Sequence, residues 1–277
     1  MSQTERDEGD LTRKQRREQA RSERKAAEEA VAAGAARNRR MAQLGGAVAA
    51  VVVVIVIVLV VTSGGGGSSK PVAPQSKAGK QQAAVVESTI GGIPQKGNVL
   101  GSTTAPVTMQ YFGDLECPIC RDFTLGALPK LIQKWVKTGK MKIEYRSLET
   151  ATREPETFRT QQVAALAAGK QDKMWDFVEL FYHEQGEEDS GYVTEAYIQG
   201  LAQQVPGLNL SKWSSDRGDT TLDNQIATDT QEANQNGFNG TPSFLIGHTG
   251  GKLEKYEYSS LTDPKGFDEA IEKLIKA

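Results

Sequence analysis

Sulfur and imidazole are scarce in this chain: two cysteines and two histidines among 277 residues. A fold stapled by disulfides needs more cysteines, spread along the sequence, whereas Cys117 and Cys120 stand three positions apart. A structural zinc site asks for four ligands. Only His183 and His248 are available to complete one, the first expected on the exposed side of a helix and the second in a glycine-rich turn, so no metal is expected. An excess of one charge is missing too, the net being −2. That near-neutrality hides an asymmetry: residues 1–43 carry 11 Lys and Arg against 8 Asp and Glu, and residues 85–277 carry 19 against 27. An acidic body argues against nucleic acid as a partner. The basic tail alternates in sign and has no aromatics, which argues against it again. There is no internal repeat.

One stretch has no charge at all. Met41 to Val61 is 21 residues made mostly of Val, Ile, Leu and Ala. At about 1.5 Å per residue a helix of that length spans roughly 30 Å, the thickness of a bilayer core. The β-branched run Val51–Val58 favours helix poorly in water, but in hydrocarbon the backbone must satisfy its own hydrogen bonds. A cleaved signal peptide is the rival reading. It would have a short positive start and a shorter apolar run, whereas about 40 residues precede this one. The sequence therefore predicts a transmembrane helix at residues 44–62, kept as an anchor. Arg37, Arg39 and Arg40 place the N-terminus in the cytoplasm and everything after Thr62 outside it. Residues 1–43 are then a mobile cytoplasmic tail, and residues 63–84, opened by Gly64–Gly67, a flexible linker. The linker tethers a domain of residues 85–277 in a compartment where disulfides persist.

The domain reads as α/β (α+β). Val107–Phe112, between Pro106 and Gly113, alternates as a strand. A helix follows, with Pro118 near its first position and Leu125, Leu128, Leu131, Ile132 and Trp135 on one side; Pro129 predicts a kink. Met141–Ser147 reads as a second strand, which makes a right-handed βαβ unit. Residues 155–236 are helical in pattern, with Trp175, Val178 and Phe181 on one face and Tyr197, Ile198 and Leu201 on another. Ser243–Ile246 and Leu253–Tyr258 read as further strands. Phe267, Ile271, Leu274 and Ile275 predict one buried stripe on a last helix begun by Asp263 and Pro264.

The cysteines fall where a strand gives way to a helix. Thiol exchange needs a thiolate, and a free thiol ionises only near pH ~8.5. The unpaired N–H groups and positive potential of a helix N-terminus favour the thiolate, so Cys117 is the expected attacking sulfur. Cys120, less than one turn on, is placed to close a disulfide or to release a mixed one. Pro118 gives up only an N–H that lacks a helical partner. This exchange needs neither metal nor cofactor. Farther on, Gly240-Thr241-Pro242-Ser243-Phe244 stands directly before a strand, where a cis Thr241–Pro242 bond would make a tight turn; an ordinary trans proline at a strand start is the alternative.

With both motifs in view the sequence resembles the DsbA-like branch of the thioredoxin superfamily. The likeness rests on Leu100-Gly-Ser-Thr-Thr-Ala-Pro-Val-Thr108, Gly113-Asp114, Glu116-Cys117-Pro118-Ile119-Cys120, Phe123 and the Thr241-Pro242 segment, and spans about residues 88–277. It implies a thioredoxin-like fold in which a helical insertion, about residues 155–236, caps the site and a cis Pro242 packs beside the cysteines. It implies further that the Thr241 backbone binds an extended substrate segment. One departure stands out: the best-known oxidases of the family carry His where this chain has Ile119, which supplies no positive charge. Asp114 and Glu116 add negative charge nearby and Arg121 opposes them, so Cys117 is expected to be less acidic than in those oxidases. The implied function is disulfide formation in exported proteins, with thiol- or disulfide-bearing substrates and a membrane redox partner that recycles the site. Reduction or isomerisation by the same pair, or a binding or chaperone module without turnover, are the alternatives.

Overall fold

The computed structural model describes residues 70–277. The expected tail, the membrane span at 44–62 and the start of the linker lie outside the described residues, among which no helix is long and apolar enough to cross a membrane.

The sheet is organised around β3 (Val107–Gly113), which is buried at every position. The expected alternation fails there because both faces of the strand are covered, the usual condition of a central parallel strand. It pairs in parallel with β4 (Met141–Ser147), from Val107 opposite Met141 to Gly113 opposite Ser147. On its other side it pairs antiparallel with β5 (Ser243–His248), Phe112 facing Ser243. Two short strands missed by periodicity, β1 (Gln95–Lys96) and β2 (Val99–Leu100), and a three-residue β6 (Glu254–Tyr256) complete the order β1-β2-β4-β3-β5-β6.

The crossover between β3 and β4 is not one kinked helix. It breaks into α2 (Pro118–Leu125), α3 (Leu128–Leu131) and a π-helical turn over Ile132–Val136. The break falls at Gly126, ahead of Pro129, which opens the new helix rather than bending the old one. A Cβ at Gly126 would lie 2.7 Å from the Thr262 Cα and 2.9 Å from the Leu261 carbonyl, so only glycine admits that loop.

The insertion comprises α4 (Pro155–Gly169), α5 (Met174–Glu184), α6 (Glu195–Ala202), α7 (Leu210–Asp216) and α8 (Thr221–Gln235). Almost every residue of α5 is buried, not one face alone, because α1 (Lys77–Ile90) packs over it. This corrects two expectations. Residues 77–84, read as the end of a flexible linker, are helical: Ser76 caps the helix at Gly79 N, and Val86 and Ile90 are buried. The chain is already pinned upstream, where Val72 N donates to the Glu184 carbonyl at 3.1 Å. His183, read as exposed, lies beneath α1 with Nδ1 3.0 Å from the Gln82 Oε1, and burial lowers its pKa to about 4. His248 ends β5 and is exposed.

The closing helix α9 (Lys265–Lys276) buries Phe267 and Ile271 and is tied back by the Trp135 indole donating to Asp268 at 2.6 Å. Ile275, expected in the stripe, is 37% exposed, since a position eight residues past Phe267 has rotated off the face.

If α1 belongs to the domain, Ile90→Ala removes a buried anchor. Urea denaturation should then show a loss of about 2–5 kcal/mol, whereas a linker residue would change nothing.

Candidate active site

The geometry starts from a carboxylate. Asp114 follows β3 and is fully buried. Its Oδ1 accepts from Glu116 N at 3.1 Å and from the Thr152 hydroxyl at 2.6 Å. Its Oδ2 accepts from the backbone N–H of Thr150, Ala151 and Thr152 at 3.1, 2.9 and 2.9 Å. The sequence predicts Asp114 as a charge acting on the thiolate. The structure shows its oxygens engaged in binding the loop after β3 to the loop after β4.

That loop delivers Cys117 as the N-cap of α2, with Pro118 at the first helical position. The Cys117 sulfur accepts from Cys120 N at 3.4 Å. As a thiol it also donates to the Thr241 carbonyl at 3.4 Å. The Thr241–Pro242 bond is cis, the isomer the family resemblance implies. The Thr241 hydroxyl meets the Thr150 hydroxyl at 2.6 Å, so the two loops flanking the cysteine touch each other. Cys117 is 4% exposed, Pro118 and Ile119 are exposed, Pro242 is buried and Cys120 is wholly buried. All six residues singled out in the sequence therefore lie in one place.

Two residues of the site had no signal in the sequence. Gln185, just past α5, donates from Nε2 to the Leu115 carbonyl at 2.7 Å and to the Cys117 carbonyl at 3.1 Å. The Tyr182 hydroxyl donates to the Asp114 carbonyl at 3.1 Å. Through these the insertion fixes the backbone that carries Cys117. A neutral glutamine after a helix looks like any surface residue until the fold brings it under the loop.

The two thiols differ in acidity. A hydrogen bond from the Cys120 side chain lowers the Cys117 pKa to about 7, helped by Thr241 and the N–H groups of Cys120 and Ile119, against the opposing effect of burial. Burial, then the neighbouring Cys117, hold Cys120 well above the ordinary thiol value. Glu116 is a weaker negative charge than expected: burial, then Asp114 and Asp189, push it up to about 7. Among the described residues no group of three or more His, Cys, Asp or Glu is placed to hold a metal ion.

Two measurements check this electrostatic picture. Thiolate absorbance of the reduced protein should rise with a midpoint near pH ~7; a midpoint at the ordinary thiol value, or in the carboxylic acid range, would contradict it. The second is stability against pH. Burial raises Glu116 to about 7, Glu179 to about 8 and Glu184 to about 7, each from 4.5. The folded state then binds more protons than the unfolded one, so their contribution is full below 4.5 and is lost as pH rises through these values. His183, held neutral down to about 4, acts in the opposite sense below its ordinary 6.5, as one group against three. The thermal midpoint should therefore fall as pH is raised from about 5 to about 7.

A sequence model of the thioredoxin family matches residues 94–273. The disulfide bond formation protein D of Bacillus subtilis strain 168 is 25% identical over 183 residues, 64% of this chain and 77% of that protein. The crystal structure of oxidised BdbD from Bacillus subtilis matches with a TM-score of 0.55 at 24% identity, over 67% of this chain and 97% of that one. Wolbachia pipientis alpha-DsbA1 matches with a TM-score of 0.52 at 23% identity, over 65% of this chain and 90% of that one. The fold is accordingly thioredoxin-like with a helical insertion. With the family match running from β1 into the last helix, over a strand-to-helix turn that presents a cysteine pair, the chain belongs to the thioredoxin family as a DsbA-like thiol–disulfide oxidoreductase.

Proposed function

We propose that the chain introduces disulfides into exported proteins, with Cys117 as the exchanging sulfur and Cys120 as its resolving partner. The observation that carries this is the asymmetry of the pair: Cys117 sits at the helix N-terminus with a pKa lowered to about 7, and Cys120 is buried and held as a thiol. In the oxidising direction a substrate thiolate attacks the Cys117 sulfur of the Cys117–Cys120 disulfide, and Cys120 departs with the electron pair. A second substrate thiolate then attacks the substrate sulfur of the mixed disulfide. The substrate leaves oxidised, and Cys117 departs as a thiolate stabilised by the N–H groups of the helix start. The enzyme retains two electrons and two protons as a dithiol, which a membrane redox partner reoxidises.

Pro118 presets the helix start, and Ile119 is the apolar residue that flanks the attacked sulfur on the exposed side. The Thr241 backbone, beside a buried cis Pro242, offers polar groups to an extended substrate segment. The work is placed outside the cytoplasm, the domain held to the membrane by residues 44–62 and the N-terminus inside. One observation favours a second reading. Ile119 puts no charge beside a sulfur whose pKa is about 7, which makes the disulfide a weaker oxidant and opens the way to reduction or isomerisation by the same pair.

The test uses the oxidised full chain in detergent with a reduced, unfolded protein bearing paired cysteines. Disulfides should appear in the substrate as the enzyme dithiol accumulates, and Cys117→Ala should abolish this. Activity surviving in that variant would transfer the assignment to a binding module. A reduction potential nearer thioredoxin than the strong oxidases would transfer it to a reductase.

A further inference from the structure

Three tyrosines stand behind the resolving cysteine. Tyr111 and Tyr145 face each other across the parallel β3–β4 pair, their rings 5.4 Å apart and nearly perpendicular. Tyr182 reaches in from α5 and stacks against Tyr111 at 6.5 Å. All three are completely buried. The Tyr111 hydroxyl donates to the Cys120 carbonyl at 3.5 Å and also interacts with the Cys120 side chain. The Tyr182 hydroxyl donates to the carbonyl of Asp114, four residues before Pro118. The Tyr145 hydroxyl is buried beside the Tyr182 and Gln162 side chains, without a well-formed hydrogen bond to either. A Cβ on Gly113 would stand 2.9 Å from the Tyr182 hydroxyl and 3.1 Å from that of Tyr145, so a bare glycine lets both hydroxyls converge at the end of β3. Burial first, then the nearby Cys120, push Tyr111 and Tyr182 well above the ordinary phenol range, and burial likewise raises Tyr145. At any working pH these groups stay protonated, as donors.

The exchange chemistry asks for donors at this point. In either direction Cys120 passes through a thiolate, as leaving group when its disulfide is opened and as nucleophile when it closes, and it is wholly buried, with the Asp114 backbone and the Thr241 side chain as its other polar neighbours besides Cys117. We propose that the hydroxyls of Tyr111, Tyr145 and Tyr182 form a donor cradle that stabilises the Cys120 thiolate during exchange, an inference that rests on the dithiol reading above. In the closing step the Cys120 thiol loses its proton and its sulfur attacks Cys117. The Cys117–Cys120 bond forms, the bond from Cys117 to the other thiol breaks, and that thiol leaves with the electron pair and takes up a proton. The tyrosine hydroxyls, which in the resting state donate to the Cys120 and Asp114 carbonyls, turn toward the sulfur as its charge forms and keep their own protons.

The test loads Cys117 of the full chain with glutathione as a mixed disulfide and follows glutathione release against pH in wild type, Y111F, Y145F and Y182F. Release near neutrality should slow about tenfold in Y111F, with its inflection about one pH unit more alkaline. Alkylation of Cys117 in the unloaded protein should keep its midpoint. Y145F removes a hydroxyl that makes no well-formed hydrogen bond in the resting state and should shift the release profile the same way. A purely structural role would lower thermal stability and leave the inflection in place. Unmoved inflections in all three variants would overturn the cradle while leaving the dithiol reading intact. A wild-type chain that never releases glutathione would overturn both.

Discussion

A single buried carboxylate holds the site together. Asp114 gathers four backbone N–H groups and one hydroxyl, drawn from the loop that carries Cys117 and from residues 150–152 after β4. A buried carboxylate is tolerable only when its lone pairs are occupied, and here the occupying groups belong to the loop that carries Cys117 and to the loop after β4. Thr150 in turn meets Thr241 through their hydroxyls. The position of the Cys117 sulfur against the Thr241 carbonyl is therefore transmitted through one polar junction from the ends of three adjacent strands.

The insertion is a structural part of that junction. Tyr182 and Gln185, at the end of α5, hydrogen-bond the carbonyls of Asp114, Leu115 and Cys117. The same helix buries Glu179 and His183 beneath α1, both far from their ordinary pKa values because water is excluded. Domain stability and the placement of the reactive backbone thus pass through one helix, which is why α5 is buried all round when an amphipathic cap would need one face only.

Acidity is divided within the cysteine pair by depth. Cys117 draws first on the Cys120 thiol and then on Thr241 and the N–H groups of the helix start, while Cys120, less than a turn on, is wholly buried. Proximity alone would make two thiols repel each other's ionisation symmetrically; unequal burial decides which one ionises first.

The sequence by itself determined what depends on neighbours within a turn or a strand: the cysteine spacing, Pro118 at the helix start, β3 and β4, the helical character of 155–236 and the final helix. The pairing of Thr241 with Cys117, 124 residues apart, was legible only through the resemblance of its Pro-containing segment to a known family. Tertiary structure alone decided the rest. The first part of the helix over 77–90, residues 77–84, reads as the end of a linker until α5 packs against the helix. The break at Gly126 answers a loop from residues 261–262. Asp114 and Glu116 look alike as charges near a thiolate, but one is saturated with donors and the other is driven toward its neutral form. The reason is the same in each case: burial and hydrogen-bond satisfaction are set by segments distant in the chain, and a carboxylate, a glutamine or a tyrosine carries no local mark of what will surround it.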